Sequence, residues 1–198
     1  MKNMGNPLFV LASKSPRRRE LLKKIGMQAE IMRANVDESS VGELSPEKTV
    51  TELALLKASD VAKYFRGDTY VIGADTVVSL DGEIFGKPQN IEDAKNMLRK
   101  LSGKKHSVYT GYCVVHCKSG NIVSKYEKTD VYFKELSDRE IDAYIKTREP
   151  MDKAGAYGIQ EKGSMFVEKI DGDYFNVVGL PVCALAKLFD KEFGVNLL

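Results

Sequence analysis

Apolar residues along this chain recur at two periods, and the switches between them mark its elements. Residues 7–12 form an almost unbroken apolar run, which predicts a buried strand. Residues 16–25 keep only Leu21, Leu22 and Ile25 as an apolar stripe in a heavily charged stretch, a helix ended by Gly26. Residues 28–34 predict a second strand, and Val36-Asp37-Glu38-Ser39-Ser40 a polar loop. Ser45-Pro46 supplies an N-cap and first turn for a helix over residues 46–65, with Val50, Leu53, Leu56, Ala58 and Val61 as apolar positions.

Residues 69–80 are rich in β-branched side chains and predict a strand on either side of a break at Gly73-Ala74-Asp75-Thr76. Asp81-Gly82 is a hairpin turn, and the return strand ends at Phe85-Gly86-Lys87-Pro88. Asn90 caps a helix over residues 91–101. Two long strands follow, at residues 106–117 and 121–133. Ser137-Asp138-Arg139-Glu140 is a capping box for a helix reaching residue 147. Residues 151–160 read as a tight loop, 164–170 as a strand, and Asp171-Gly172-Asp173-Tyr174 as a turn. A final amphipathic helix runs from Pro181 to residue 193. Strands and helices mixed with hairpins predict an α/β fold: a mixed, partly antiparallel twisted sheet with flanking helices and a central cleft. The whole chain fits one domain. Two lobes around the cleft stay open, the second built from the strands near 106–133 and the capping-box helix.

Charge and cysteine usage narrow the function. Thirty basic residues against twenty-eight acidic ones leave a net charge of +2, which argues against a general polyanion-binding surface. A nucleic-acid partner for Arg17-Arg18-Arg19 is therefore not expected. Three cysteines without paired spacing point to reduced thiols and a cytoplasmic protein. Cys113, His116 and Cys117 resemble a zinc fragment, but no second ligand pair follows, so buried strand thiols are the better reading. No signal peptide is expected from the short N-terminal apolar run, nor any membrane span.

Two stretches carry candidate chemistry. At Ser13-Lys14-Ser15-Pro16-Arg17-Arg18-Arg19 a strand turns into a helix. Ser15 is a good N-cap and Pro16 a good first helical residue. A helix N-terminus with hydroxyls and arginines makes an anion pocket, most naturally for phosphate. Asp75 is a charge inside an apolar strand, costly unless it is paired or holds a metal. A bond to a neighbouring turn is the alternative. Lys57, beside an apolar helix face, reads on composition as a surface lysine. Gly103-Lys104 lacks the spacing of a phosphate-binding P-loop. The glycines of residues 151–160 would let backbone approach a ligand.

At Ser13-Lys14-Ser15-Pro16-Arg17-Arg18, Gly73-Ala74-Asp75-Thr76, Gly86-Lys87-Pro88 and Asp152-Lys153-Ala154-Gly155-Ala156-Tyr157-Gly158-Ile159-Gln160 the chain closely resembles the Maf family of nucleoside triphosphate pyrophosphatases. The likeness runs from about residue 8 to 189. It implies a fold akin to inosine triphosphate pyrophosphatases and hydrolysis of a triphosphate to a monophosphate and pyrophosphate. It further implies Mg²⁺ or Mn²⁺ on Glu38 and Asp75, Asp75 as proton acceptor, and Lys57 and Lys87 as active-site lysines. Ser13, Ser15, Arg17 and Arg18 would bind phosphate. Arg18, Thr76 and Gln160 match the family's dTTP- and UTP-directed subgroup, with Thr76 and Gln160 at the base edge. Removal of non-standard nucleotides and a homodimer are family-level expectations. The competing reading is a non-catalytic nucleotide-binding regulator of septum formation, which would have no need of a water-activating carboxylate.

Overall fold

A computed structural model describes residues 7–198. Met1–Asn6, which carry no family motif, lie outside the described residues. The chain runs β1 (Leu8–Leu11), α1 (Pro16–Lys24), β2 (Ala29–Ile31), α2 (Pro46–Ala62), β3 (Thr69–Leu80), β4 (Glu83–Phe85) and α3 (Ile91–Leu101). It continues through β5 (Lys105–His116), β6 (Ile122–Phe133), α4 (Asp138–Lys146), β7 (Val167–Asp171), α5 (Tyr174–Val178) and α6 (Val182–Leu188). The strands form one sheet in the order β2-β1-β3-β5-β6-β7, with β4 added to β3. β1 is parallel to β2 and β3, and all other pairs are antiparallel. This is the mixed, partly antiparallel sheet expected.

Helices cover both faces. On one face, α2 packs Ala54, Ala58 and Val61 against Val10, Val71, Cys113 and Val115. On the other, α1 and α6 cover Tyr70, Ile72 and Ala74. Further along that face, α3 and α4 cover Val78, Leu80, Val108 and Val131. Alternation along a strand therefore sends the odd-numbered residues of β3 toward α2 and the even-numbered ones toward α1 and α3.

The expected break at Gly73–Thr76 is absent: β3 is continuous for 12 residues. Gly73 serves contact rather than a bend. A Cβ there would come within 2.2 Å of the Ala54 carbonyl oxygen, and one on Gly111 within 2.1 Å of the Val50 carbonyl oxygen. Gly111 lies opposite Asp75 on β5. The two glycines let α2 lie directly on the sheet backbone.

One edge of β3 is fully paired with β5 from Tyr70 to Ser79. The other pairs with β1 only to Ile72 and with β4 only from Val78. Among the described residues no strand covers the edge between them, and Asp75 and Thr76 lie in that gap.

The last helical stretch also differs from expectation. Asp173 caps α5 by accepting from the Phe175 N–H at 2.8 Å, and Gly179 at φ 120° ends it. The predicted turn at residues 171–174 thus leads from β7 into a short helix not expected from the sequence. Pro181 is the N-cap of α6, which passes into a π-helical turn, Phe189–Phe193.

His106 is buried beneath the loop that carries Tyr157. Its Nε2 is 2.8 Å from the Tyr157 hydroxyl, and its ring meets Phe133 edge-on. Burial pushes its pKa down to about 4. Between pH 6.5 and 4 the unfolded chain therefore holds a proton that the native chain lacks, so stability is full above pH 6.5 and falls on acidification. The difference is on the order of 3 kcal/mol. Melting curves from pH 7 to 4.5 should fall more steeply for the natural chain than for His106→Gln. Parallel curves would remove His106 from the acid response.

Candidate active site

A cleft of about 740 Å³ opens at the uncovered edge of β3. Ser13, Ser15, Arg17, Arg18, Glu38, Lys57, Asp75, Thr76, Lys87 and Gln160 all line it. Residues from six separate stretches of sequence thus converge on one place. The lining has seven basic side chains (Lys14, Arg17, Arg18, Arg33, Lys57, Lys87, Lys153) against four acidic ones (Glu38, Asp75, Asp152, Glu161). That excess suits a polyanion.

The N-terminus of α1 forms one wall. Ser15 is its cap, with Oγ 3.5 Å from the Arg18 N–H, and Pro16 is the first helical residue. The Ser13 hydroxyl accepts from the Ser15 N–H at 3.1 Å and from Arg18 Nη1 at 3.3 Å. There is no acidic residue in this first turn. Arginines there oppose the helix dipole, at roughly 0.3–1 kcal/mol each. A bound anion would offset that cost. Arg17 meets Asp152 of the 151–160 loop at 3.1 Å, a half-open pair that can exchange for phosphate.

Asp75 and Lys57 form the centre. Lys57 Nζ is 2.6 Å from Asp75 Oδ1 and 2.8 Å from Glu38 Oε1. Lys57 and Asp75 are 13% and 12% exposed, so this lysine is not a surface residue. Glu38, at the start of a 3₁₀ turn, remains 60% exposed. Burial works against its charge, but the Lys57 hydrogen bond and charge, with Lys87 and Arg18, outweigh it and lower its pKa. Lys87 follows β4. Desolvation, then repulsion from Lys14, Lys57 and Arg18, lowers its pKa against the pull of Glu38. A phosphate beside Lys87 would relieve this repulsion.

Arg18 and Thr76 lie on the opposite face of β3 from Asp75. Arg18 donates from Nε to the Gly179 carbonyl at 2.7 Å and from Nη2 to Thr76 Oγ1 at 3.0 Å. Burial lowers its pKa, with Arg17 adding to the effect and Asp75 and Glu38 opposing it. Gln160 lies at the cleft wall beyond Ile159.

Two contributors were not singled out in the sequence. Glu149, read there only as a helix stop, pins the motif loop: its carboxylate accepts from the Tyr144 hydroxyl at 2.7 Å and from the N–H groups of Lys162 and Gly163 at 3.1 and 3.2 Å. Lys153 is buried and donates to the Glu149 carbonyl and to Asp152, each at 2.8 Å. The only sequence signal for either was membership of the motif or its border.

Among the described residues no group of three or more His, Cys, Asp and Glu could hold a metal. Glu38 and Asp75 remain as two carboxylates joined by one ammonium. A hard cation that keeps waters and takes phosphate oxygens needs only one or two protein carboxylates, so the donor set fits Mg²⁺ or Mn²⁺. No helix among the described residues is long and apolar enough to cross a membrane.

Comparisons with known proteins show what the whole chain is similar to. The dTTP/UTP pyrophosphatase of Alkaliphilus oremlandii is 51% identical over 190 residues, covering 96% of this chain and 98% of the relative. That of Bacillus cereus strain AH187 is 49% identical, covering 95% and 96%. The solved structure described as the Staphylococcus aureus Ham1 protein aligns with TM-score 0.53 at 16% identity, over 93% of this chain and 98% of that one, a likeness of fold alone. A family model described as "Maf-like protein" matches residues 8–192. From first strand to last helix, then, the chain belongs to the Maf family.

Proposed function

We propose that this protein hydrolyses dTTP and UTP to the monophosphate and pyrophosphate. The observation that carries the reading is the convergence of all ten expected site residues on one basic cleft, centred on the Glu38–Lys57–Asp75 cluster. Relatives named dTTP/UTP pyrophosphatase, about half identical over nearly the whole chain, support it.

The α1 N-terminus binds the triphosphate, with Arg17 leaving Asp152 to pair with a phosphate oxygen. Lys57 and Lys87 neutralise charge that builds on the leaving pyrophosphate. Glu38 and Asp75 would hold a divalent cation. Bound there, Mg²⁺ or Mn²⁺ would supply Lewis acidity toward the phosphate and the attacking water. Asp75 takes the proton of that water as its oxygen attacks the α-phosphorus and the bond to the β-phosphate oxygen breaks. Lys57, bonded to Asp75 Oδ1, orients the carboxylate. Arg18, Thr76 and Gln160 select the base. The enzyme works as one domain around its cleft and, on family likeness, as a cytoplasmic homodimer. Its three free thiols suit a reducing compartment.

Pyrophosphate release across a set of purified triphosphates with Mg²⁺ tests the reading. Release fastest from dTTP and UTP is expected. Binding without release would instead support the nucleotide-binding regulator. Arg18→Ala, Thr76→Ala and Gln160→Ala should each change the ranking of triphosphates, and an unchanged ranking in all three would remove the assignment of base selection to them.

A further inference from the structure

Beneath Thr76 lies a buried polar chain that decides which way its hydroxyl points. Thr110 faces Thr76 across β3 and β5 and is wholly buried. Its Oγ1 is 2.9 Å from the Asn176 carbonyl oxygen and 2.9 Å from Thr76 Oγ1. A carbonyl oxygen only accepts, and a threonine hydroxyl has one proton. Thr110 therefore donates to Asn176, and Thr76 donates to Thr110. The Asn176 carbonyl cannot turn away. It also accepts from the Gly179 N–H at 3.0 Å, and the Asn176 side chain donates to the Val108 carbonyl at 3.1 Å and to Thr129 at 2.9 Å.

Thr76 is the one residue of β3 that is not buried, and it lines the cleft. Its proton is committed to Thr110, and one lone pair is taken by Arg18 Nη2 at 3.0 Å. Toward a ligand it can only accept. Arg18 beside it uses three of its N–H donors on Gly179, Ser13 and Thr76, which leaves one free N–H on each terminal nitrogen. A donor beside an acceptor complements a carbonyl next to an N–H. That is the imide edge of uracil and thymine. Cytosine presents an acceptor nitrogen at the same place and would meet a lone pair.

We infer that Thr110, with the Asn176 carbonyl, is a positioning residue for base selection: it turns the Thr76 proton inward, so that Thr76 accepts the imide N–H of uracil or thymine and rejects cytosine. This rests on the dTTP/UTP reading above and extends it to a residue that touches no substrate.

The test compares kcat/KM for UTP, CTP and N3-methyl-UTP in the natural protein, Thr110→Val and Thr110→Ser, with melting curves to establish folding. Thr110→Val frees the Thr76 proton to face cytosine, so the UTP-to-CTP ratio should fall about tenfold, while Thr110→Ser restores it. N3-methyl-UTP, which lacks the N–H, should be a poor substrate of the natural protein by a similar factor. An unchanged ratio in folded Thr110→Val overturns the inference. So does N3-methyl-UTP turnover equal to UTP in the natural protein, a measurement that stands even if Thr110→Val does not fold. Equal turnover of UTP and CTP by the natural protein sinks this inference and leaves the hydrolase standing. Turnover of neither dTTP nor UTP sinks the functional reading itself.

Discussion

Asp75→Asn should lower pyrophosphate release from dTTP by about 10³-fold, because an amide cannot take the proton of the attacking water. The change is almost isosteric. It should leave the fold intact, since Lys57 keeps its 2.8 Å partner Glu38. Loss of activity with a melting temperature within a few degrees of the natural protein is the expected pair of results. A thermal shift on adding dTTP should persist, because the phosphate-binding wall of α1 is untouched. Near-normal turnover would take the base role away from Asp75. A collapse of melting temperature together with activity would make the residue a structural ion pair instead.

Gly111→Ala should be strongly damaging, since among the described glycines an added Cβ comes closest to backbone there. The added Cβ would sit 2.1 Å from the Val50 carbonyl oxygen and 2.3 Å from its carbonyl carbon, and backbone cannot rotate aside as a side chain does. Either β5 or α2 must move. Overpacking of this kind costs roughly 1–3 kcal/mol or more. The melting temperature should drop on the order of 10 °C. Activity should fall further than stability explains, since α2 carries Lys57 and a displacement near 1 Å at a reacting centre can cost about 10²-fold. Gly26→Ala is the contrast: nothing lies within 4 Å of its added Cβ, so the effect there is confined to the strain of its φ of +77°. Equal activity losses in folded Gly26→Ala and Gly111→Ala would show that the seat of α2 does not position the lysine.

Features set by neighbouring residues were legible in the sequence. Ser15 and Pro16 start α1, and both bonds of the Ser137–Glu140 capping box form. Asn90 accepts from the Asp93 N–H as its position suggests. These are contacts across three residues, where chemistry and spacing suffice. Illegible were the features decided by distant partners. Lys57 looked like a surface lysine because its helix had no visible reason to sit flat on the sheet, a reason held by Gly73 and Gly111. Gly73 itself read as a break, since a strand glycine signals a bend or a close approach without saying which. Thr110 bonds to residues 34 and 66 positions away, and nothing local marks it. The family resemblance supplied residue roles that periodicity could not, and the cleft gathers those residues in one place.

Asp75 and Thr76 share a peptide bond yet belong to different cores. The first is tied to α2 through Lys57, the second to α1, α5 and β5 through Arg18, Asn176 and Thr110. On the roles proposed for them, substitutions that adapt the Thr76 side to another base would repack one layer of the molecule and leave the Asp75 carboxylate on its own foundation. With those roles, such a strand would let the substrate change by small, separately tolerable steps without loss of the chemistry.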